Sequence, residues 1–300
     1  MADSSILIMQ AFNGLSTFCV LLLMALGLAI IFGQMGVINM AHGEFLTIGA
    51  YTTYVLSTVS QGTPWLVDAY FPIAIVVAFF LAAGVGLVIE HLMIRHLYTR
   101  PLDTLLATWG VSLIMQQTFR STFGAREVSA TLPEWLMGSL KPTEAIDIPI
   151  NGLVIMGLTL VLTSAIFFGL LRSRWGIRVR ATTQNRTMAS AAGINTRRVD
   201  KLTFALGCGL AGIAGAAFTT IGSTGPTSGS LYIVDTFLVV VFGGAESLIG
   251  AIAAAFSIAQ AQATMEFFLS GSMAKVLTLL AVILILMLRP QGLFSVRVRR

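Results

Sequence analysis

The stretch AFNGLSTFCVLLLMALGLAIIF (Ala11–Phe32) runs directly into GQMGVINMAHGEFLTIG (Gly33–Gly49), and this junction decides the fold. The first part is long enough to cross a bilayer as a helix, which takes about 20 apolar residues. The second part is a polar island that brings Asn39, His42 and Glu44 together among glycines. Glycine lets a backbone leave helical geometry. Ionisable side chains at membrane depth are costly and usually face a cavity, a partner or a transport route, so the island is the first candidate for such a route.

The composition indicates an all-α integral membrane protein. Of the 300 residues, 56% are hydrophobic and only 10% are charged, whereas globular domains carry about 25% charged residues. Long continuous apolar runs favour helices over a membrane barrel, which would show short alternating segments. No polar block is long enough to bury a second core. We therefore expect one transmembrane domain over residues 1–300.

Nine apolar stretches follow one another along the chain. They cover residues 11–32, 45–60, 71–94, 103–120, 150–171, 202–222, 231–243, 248–269 and 273–288. The second and seventh are short for a crossing, which is typical of broken or re-entrant spans. We expect about eight to ten membrane segments in a polytopic bundle.

The distribution of basic residues predicts the orientation. The segment from about 172 to 201 is rich in arginine, and Arg95 and Arg100 close the third apolar run. The loop from about 121 to 149 carries more acidic than basic residues. The positive-inside rule then puts the basic segment in the cytoplasm and the acidic loop outside. The net charge of +5 reflects this rule and contact with membrane lipid, and we expect no nucleic-acid partner.

The N-terminal decapeptide MADSSILIMQ lacks the basic stretch and the cleavage site of a secretory signal. We therefore expect the first span to be retained.

The basic segment RSRWGIRVRATTQNRTMASAAGINTRRVDK predicts a short helix over Ala181–Ala192 that ends at Gly193. Asn195 is placed to cap the next helix, which should begin near Arg197. One interpretation is a loop that touches anionic lipid headgroups. The other is a docking helix for a cytoplasmic protein, and its small residues favour docking, because a lipid-binding helix needs bulky apolar side chains.

Four blocks of the chain together resemble permeases of the branched-chain amino acid ABC transporter family. They are GVINMAHGEF in the island, A-T-x-x-N-x-x-x-A-x-x-x-G-I-N over residues 181–195, FGGAESLIGA, and RPQGLF at 289–294. Within the family, YTRPLDTLLATWGVSLIMQQ (Tyr98–Gln117) looks most like the urea-type permease, although Asp103 stands where glutamate is usual. The resemblance extends over nearly the whole chain.

The resemblance implies one subunit of an ATP-driven importer in the bacterial inner membrane, working by alternating access. The implied partners are a second homologous permease, two cytoplasmic ATP-binding subunits and an extracytoplasmic substrate-binding protein. The ATP-binding subunits would contact the segment that carries Ala181, Asn185, Ala189, Gly193, Ile194 and Asn195. Urea or a short amide is the first expected substrate, branched-chain amino acids are the alternative, and a passive urea channel is a further one.

A small amide needs converging hydrogen-bond donors and acceptors, and the polar residues of two spans offer both. Asn39 can donate and accept, Glu44 accepts, and His42 does either according to its tautomer. Further candidates for the route are Thr108, Trp109, Gln116, Gln117 and Glu246. A zwitterionic amino acid would instead need charged or helix-end partners and an apolar pocket.

Each candidate also has a structural interpretation. Asn39 can cap the helix that begins near Met40, His42 can satisfy a backbone carbonyl, and Glu44 can pair with a basic group at the cytoplasmic edge. For His42 the structural interpretation is favoured. Trp109 can equally face lipid or a neighbouring helix.

Two glycine-rich regions lie further along the chain. Gly243–Gly250, which contains Glu246, faintly repeats the pattern of the island, as the paired broken segments of repeated transporter folds do. In the sixth stretch, Gly207, Ala211 and Gly215 are four residues apart, a spacing that lets helix backbones approach closely. Glu90 and Glu266 lie near span ends, where solvent or a basic neighbour can satisfy them.

Nothing in the sequence indicates an enzyme. The three histidines show no metal-ligand spacing with the two cysteines, and no phosphate loop or nucleophile elbow occurs. We expect no catalytic residues, no metal and no cofactor in this chain.

Overall fold

The computed structural model describes residues 2–98, 100–143, 146–244, 247–289 and 292. Eleven α-helices occupy these ranges, together with two single 3-10 turns at Ile94–His96 and Glu134–Leu136. The helices are α1 Ala2–Met35, α2 His42–Ser60, α3 Pro64–Leu92, α4 Pro101–Phe123, α5 Ile150–Arg172, α6 Arg174–Gln184, α7 Arg186–Ala191, α8 Thr196–Phe218, α9 Ser228–Gly243, α10 Leu248–Phe268 and α11 Gly271–Leu288. The predicted all-α polytopic fold is confirmed.

Each of the nine predicted apolar stretches contains a helix. In the described part of the chain, six helices are long and apolar enough to cross a membrane: α1, α3, α5, α8, α10 and α11. Helices α2 and α4 have sufficient length but are more polar, and α9 is shorter, with 16 residues. The sequence predicts the irregularity of α2 and α9 but not the polarity of α4.

Helices α1 and α8 form the buried centre of the bundle. They cross where a Cβ atom on Gly27 would lie 2.5 Å from the carbonyl oxygen of Gly207, and one on Gly207 would lie 2.6 Å from that of Gly27. No side chain larger than hydrogen fits at either position. The predicted close packing of small residues on the sixth stretch is confirmed at this crossing.

The polar island breaks the chain between α1 and α2. The side chain of Gln34, near the end of α1, bonds to Asp200, while His42 at the start of α2 bonds to the carbonyl oxygen of Met24. Met24 lies about 16 Å before Met35 along the α1 axis, at 1.5 Å per residue. Residues 36–41 therefore run back beside α1, and α2 begins partway through the bundle.

A second break, over residues 219–227, brings the start of α9 to the same depth. A Cβ atom on Gly43 would lie 2.7 Å from the carbonyl carbon of Gly229, and the amide of Gly229 donates to Thr47 Oγ1 at 3.0 Å. The first turns of α2 and α9 thus meet inside the bundle. The sequence pattern predicts a pairing of the island with Gly243–Gly250. In the structure, the broken segment that pairs with the island is instead the one before α9.

One end of the bundle, the hairpin end, carries the acidic loop. Strands β1 (Ser139–Thr143) and β2 (Ile146–Pro149) form an antiparallel hairpin in which Leu140 pairs with Ile148. Leu136 before the hairpin is buried against Tyr70 and Phe71 of α3. The all-α prediction needs this one correction, a small sheet anchored on the bundle by a buried leucine.

The other end, the basic end, is built from α6, α7 and the start of α8. The predicted helix over Ala181–Ala192 is wrong, because the chain breaks at Asn185, whose side chain accepts a hydrogen bond from the amide of Met188 and caps α7. The predicted stop at Gly193 is confirmed, with φ +84°. The amides of Gly193 and Ile194 bond to the carbonyls of Ser190 and Ala189, which forms a Schellman motif.

The predicted cap of the next helix is also confirmed, since Asn195 Oδ1 accepts from the amide of Arg198 at 3.0 Å. The segment is therefore two short helices that are separated from each other and from α8 by capped turns. The predicted surface of small residues is not continuous, because the break turns Ala189 inward while Met188 is exposed.

Candidate functional site

Glu44 lies in the first turn of α2 and is completely buried. Its Oε1 atom accepts hydrogen bonds from Ser112 Oγ at 2.9 Å and from Gln116 Nε2 at 2.8 Å, both on α4. Its Oε2 atom has no hydrogen-bond partner among the described residues. The structural interpretation, a basic partner at the cytoplasmic edge, is wrong, because the groups that hold Glu44 are neutral donors partway through the bundle.

Asn39 and His42 precede Glu44 in the sequence and are also buried. Asn39 Oδ1 accepts from the amide of Ala41 at 3.0 Å, a hydrogen bond within the turn that leads into α2. The predicted helix cap at Asn39 is wrong, because α2 begins at His42, its N-cap is Ala41, and no side chain caps it. His42 Nε2 contacts the carbonyl oxygen of Met24 at 3.2 Å, and since a carbonyl only accepts, Nε2 carries the proton. The expectation that His42 satisfies a backbone carbonyl is confirmed.

These three residues share one pattern. In each side chain one polar atom forms a hydrogen bond within the protein, and a second polar atom is buried. Within the described ranges Asn39 Nδ2, His42 Nδ1 and Glu44 Oε2 have no partner. Most buried polar atoms in proteins are paired, so three such atoms within six residues point to a group that the chain itself does not supply.

Helix α4 closes the site on one side through a polar stripe. Thr104, Thr108, Ser112 and Gln116 are four residues apart, and the first three are buried. Thr108 Oγ1 accepts from the amide of Met40 at 3.1 Å, next to Asn39. The stripe explains why α4 is less apolar than the other long helices, since it faces α2 with hydroxyl and amide groups.

The sequence reasoning identified Thr108 and Gln116 but missed Ser112. The four-residue period along α4 is the signal that would have found it. Trp109 is 54% exposed and lies off this stripe, and Gln117 is also exposed. The structure does not bring these two side chains to Glu44.

The start of α9 supplies a third wall that the sequence reasoning also missed. Gln116 Nε2 lies 3.4 Å from Ser230 Oγ, so Ser230 joins the group around Glu44. The run Ser228-Gly229-Ser230 after a glycine-rich turn was the available signal. Because α2 and α9 both begin here, the positive ends of two helix dipoles lie beside Glu44, an arrangement that favours negative charge.

The second predicted site is only partly visible. Glu246 lies outside the described residues. Around it, Gly243 and Gly250 approach so closely that a Cβ atom on Gly243 would lie 2.5 Å from the carbonyl carbon of Gly250. Ser247 accepts from the amide of Gly250 and caps α10. These glycines bring the end of α9 against the start of α10 and are not among the residues that contact Glu44.

The predicted coupling residues lie together at the basic end. Asn185, Gly193, Ile194 and Asn195 shape the capped turns described above, Ala189 is buried and Ala181 is half-buried. The Glu44 site and this segment are joined through the core, since α1 leads from Met24, which binds His42, to Gln34, which binds Asp200.

A bundle of membrane-length helices with an enclosed polar site and an exposed helical segment at its basic end defines a polytopic membrane permease. Residues 10–288 match the family described as branched-chain amino acid transport system / permease component. The chain belongs to this family, and it is a multi-pass protein of the inner membrane.

Individual relatives match over nearly their full length. The high-affinity branched-chain amino acid transport system permease protein LivH of Salmonella typhimurium is 30% identical over 297 residues, 95% of this chain and 94% of the relative. BraD, the corresponding permease protein of Pseudomonas aeruginosa, is 28% identical over 300 residues, 95% of each chain. A probable LivH of Methanocaldococcus jannaschii is 24% identical over 293 residues, 92% of this chain and 89% of the relative. No solved structure matches the chain.

These findings confirm the resemblance to branched-chain amino acid permeases. They give no support to the narrower expectation of a urea-type permease, because the relatives are named for branched-chain amino acid systems. The block Tyr98–Gln117, on which that expectation rested, includes the α4 stripe that faces α2. Its polarity is explained by the contacts with Glu44 and Met40.

Proposed function

We propose that this chain is the membrane-spanning subunit of an ABC importer for branched-chain amino acids. The family membership and the names of the relatives favour this substrate over urea, which was the first expectation. The observation that carries the proposal is the buried carboxylate of Glu44, held by neutral donors beside the starts of two helices. A zwitterion requires such a combination of groups.

The chemistry of the site suits the two charges of an amino acid. The ammonium group of the substrate would bind Glu44 Oε2, the oxygen that Ser112 and Gln116 leave unused. Its carboxylate would face Asn39 Nδ2 and the first turns of α2 and α9, where the helix dipoles favour an anion. Urea is uncharged and would gain little from either the carboxylate or the dipoles.

The site must open for a substrate to enter. Asn39, His42 and Glu44 are each at most 1% exposed. Within this chain α4 packs chiefly against α2. Of the helices around the site, α4 is therefore the one that the rest of the bundle restrains least. In the proposed mechanism, partner ATPases move the α6–α7 segment, the bundle rearranges around Glu44, and the site faces the two sides of the membrane in turn.

The proposed assembly contains a second homologous permease, two ATP-binding subunits at the basic end and a substrate-binding protein at the hairpin end. The basic end would then be cytoplasmic, as the positive-inside rule predicts. ATP hydrolysis belongs to the partner subunits in this proposal, and the chain itself is a transport subunit without catalysis.

The test is labelled uptake in a strain that lacks this chain and is complemented with it. We expect leucine, isoleucine and valine uptake to be restored, and urea and acetamide uptake to remain at the background of the deletion strain. An inactivated partner ATPase should abolish the restored uptake. Restored urea uptake without the amino acids would refute the proposed substrate, and uptake that survives ATPase inactivation would indicate a passive channel.

A further inference from the structure

A cavity of about 910 Å³ opens at the basic end, away from the Glu44 site. It lies between the ends of α1 and α3 and the starts of α7 and α8. Five cationic side chains line it, namely Arg95, Arg186, Arg197, Arg198 and Lys201. Its volume is that of a small-molecule site, and the proposed transport cycle assigns no ligand to it.

The charges around the cavity are unequal. Two carboxylates oppose the five cations: Glu90 in the wall, and Asp200, which forms an ion pair with Arg186. In the described part of the chain Arg197 and Arg198 form no ion pair, and both are exposed. Like charges held side by side repel one another, so an anion bound between them would be favoured.

The cavity wall also contains an acceptor that needs a donor. Glu90 is 1% exposed, and its Oε1 accepts from the hydroxyl of Tyr98 at 2.7 Å. Its Oε2 is buried and without a partner among the described residues. The expectation that solvent or a basic neighbour satisfies Glu90 is therefore wrong, and a ligand that is only an anion would leave this oxygen unpaired.

Apolar surface adjoins the polar cavity. Lys201 Nζ on α8 lies 3.1 Å from His91 Nδ1 on α3, and this contact joins the two helices at the basic end. The next residue of each helix is an exposed leucine, Leu92 at 69% and Leu202 at 49%. Val88, one turn before Leu92, is 55% exposed. An occupant with both a charged head and apolar chains would match the cavity and this surface together.

We propose that the cavity binds the headgroup of an anionic glycerophospholipid that carries hydroxyl groups, as phosphatidylglycerol does. The phosphodiester lies among Arg197, Arg198 and Lys201, and a glycerol hydroxyl donates to Glu90 Oε2. The acyl chains lie along Leu92 and Leu202. Basic pockets at the cytoplasmic ends of membrane helices are suited to such headgroups, and this one is walled by the segment that moves in the proposed cycle.

The first test measures lipid affinity on the purified full transporter by native mass spectrometry during titration with phosphatidylglycerol. The pair Arg197→Gln and Arg198→Gln should weaken binding about 25-fold, at about fivefold for each cation. The matched control, Arg174→Gln with Arg178→Gln, removes the same charge from exposed positions on α6 outside the cavity. Equal losses in the two double variants would overturn the site, because general surface charge would then explain the binding.

The second test concerns the hydroxyl and uses the unaltered protein first. Phosphatidylmethanol has the same phosphodiester charge but no headgroup hydroxyl, and we expect it to bind about tenfold more weakly than phosphatidylglycerol. Glu90→Leu, which offers neither a donor nor an acceptor, should abolish that preference while both lipids still bind. Equal affinities in the unaltered protein would overturn the role of Glu90.

Competition with soluble glycerol phosphate identifies the source of the phosphate. Glycerol phosphate lacks the acyl chains that would contact Leu92 and Leu202, so it should displace the lipid only at far higher concentration. Displacement at equal concentration would overturn the assignment to a lipid, because the site would then be one for a soluble phosphate ester.

Discussion

Glu44 and Asp200 are both fully buried carboxylates on central helices, but their surroundings differ. Both oxygens of Asp200 are occupied, Oδ1 by Gln34 Nε2 at 3.2 Å and Oδ2 by the guanidinium of Arg186. Glu44 has only neutral donors, and all of them are on one oxygen. A buried charge with complete partners holds structure together, whereas one with incomplete partners is a candidate for binding something else.

The difference also separates the centre of the bundle from its basic end. Asp200 joins α8 to α1 and α7, so it anchors the α6–α7 segment to the core. Glu44 joins α2 to α4 alone, through contacts that a substrate's ammonium group can share. If this comparison is right, loss of the Asp200 partner should damage folding, and loss of the Glu44 charge should damage transport.

The largest expected effect is on stability, at the basic end. Arg186→Gln leaves the buried carboxylate of Asp200 without a cation, and we expect a loss of about 3 kcal/mol in the free energy of unfolding. The expected loss is at the low end of the range for breaking a buried ion pair, because the Arg186 side chain is 42% exposed. Chemical denaturation of the purified chain measures it. Adding Asp200→Asn to Arg186→Gln should recover most of the loss, and an unchanged stability of Arg186→Gln would show that the pair is not an anchor.

The next effect is on transport, at the centre of the bundle. Glu44→Gln keeps the shape of the side chain but removes the charge that would bind the ammonium group. We expect leucine uptake to fall about 30-fold, the equivalent of about 2 kcal/mol for a hydrogen bond to a charged group. Assembly with the partners should remain intact. Asp103→Asn, an exposed acid on α4, is the matched control, and wild-type uptake by Glu44→Gln would remove Glu44 from the site.

The sequence predicts the parts of this comparison unevenly. The helices and the island follow from apolar length and glycine, and the turns at Gly193 and Asn195 follow from local capping chemistry. The surroundings of Glu44 do not, because Ser112 on α4 and Ser230 on α9 are distant in the sequence and their positions depend on how these helices meet α2. Asp200 shows the same limit, since its charge is plain in the sequence but its pairing with Arg186 depends on the break at Asn185.

A smaller effect tests whether the ATP-binding subunits dock at the Gly193 turn of the basic end. Gly193→Leu places a side chain at φ +84°, where non-glycine residues lose about 1–2 kcal/mol. The Schellman turn should open, and co-purification with the ATP-binding subunits should fall about tenfold. Ala192→Leu adds the same side chain one residue earlier, at φ −77°, and should bind normally. Similar losses in both variants would mean that the leucine side chain, and not the turn, disturbs docking.

The smallest effect decides which face of α4 borders the route. Thr108→Val removes the acceptor for the amide of Met40, and a neutral hydrogen bond of about 1 kcal/mol corresponds to about a fivefold loss of leucine uptake. Trp109→Leu changes the adjacent residue on the exposed face and should stay within about twofold of wild type. A larger loss at Trp109 than at Thr108 would contradict a route between α2 and α4. It would favour a route along the face of α4 that carries Trp109, and Glu44 would then hold α4 in place instead of holding the substrate.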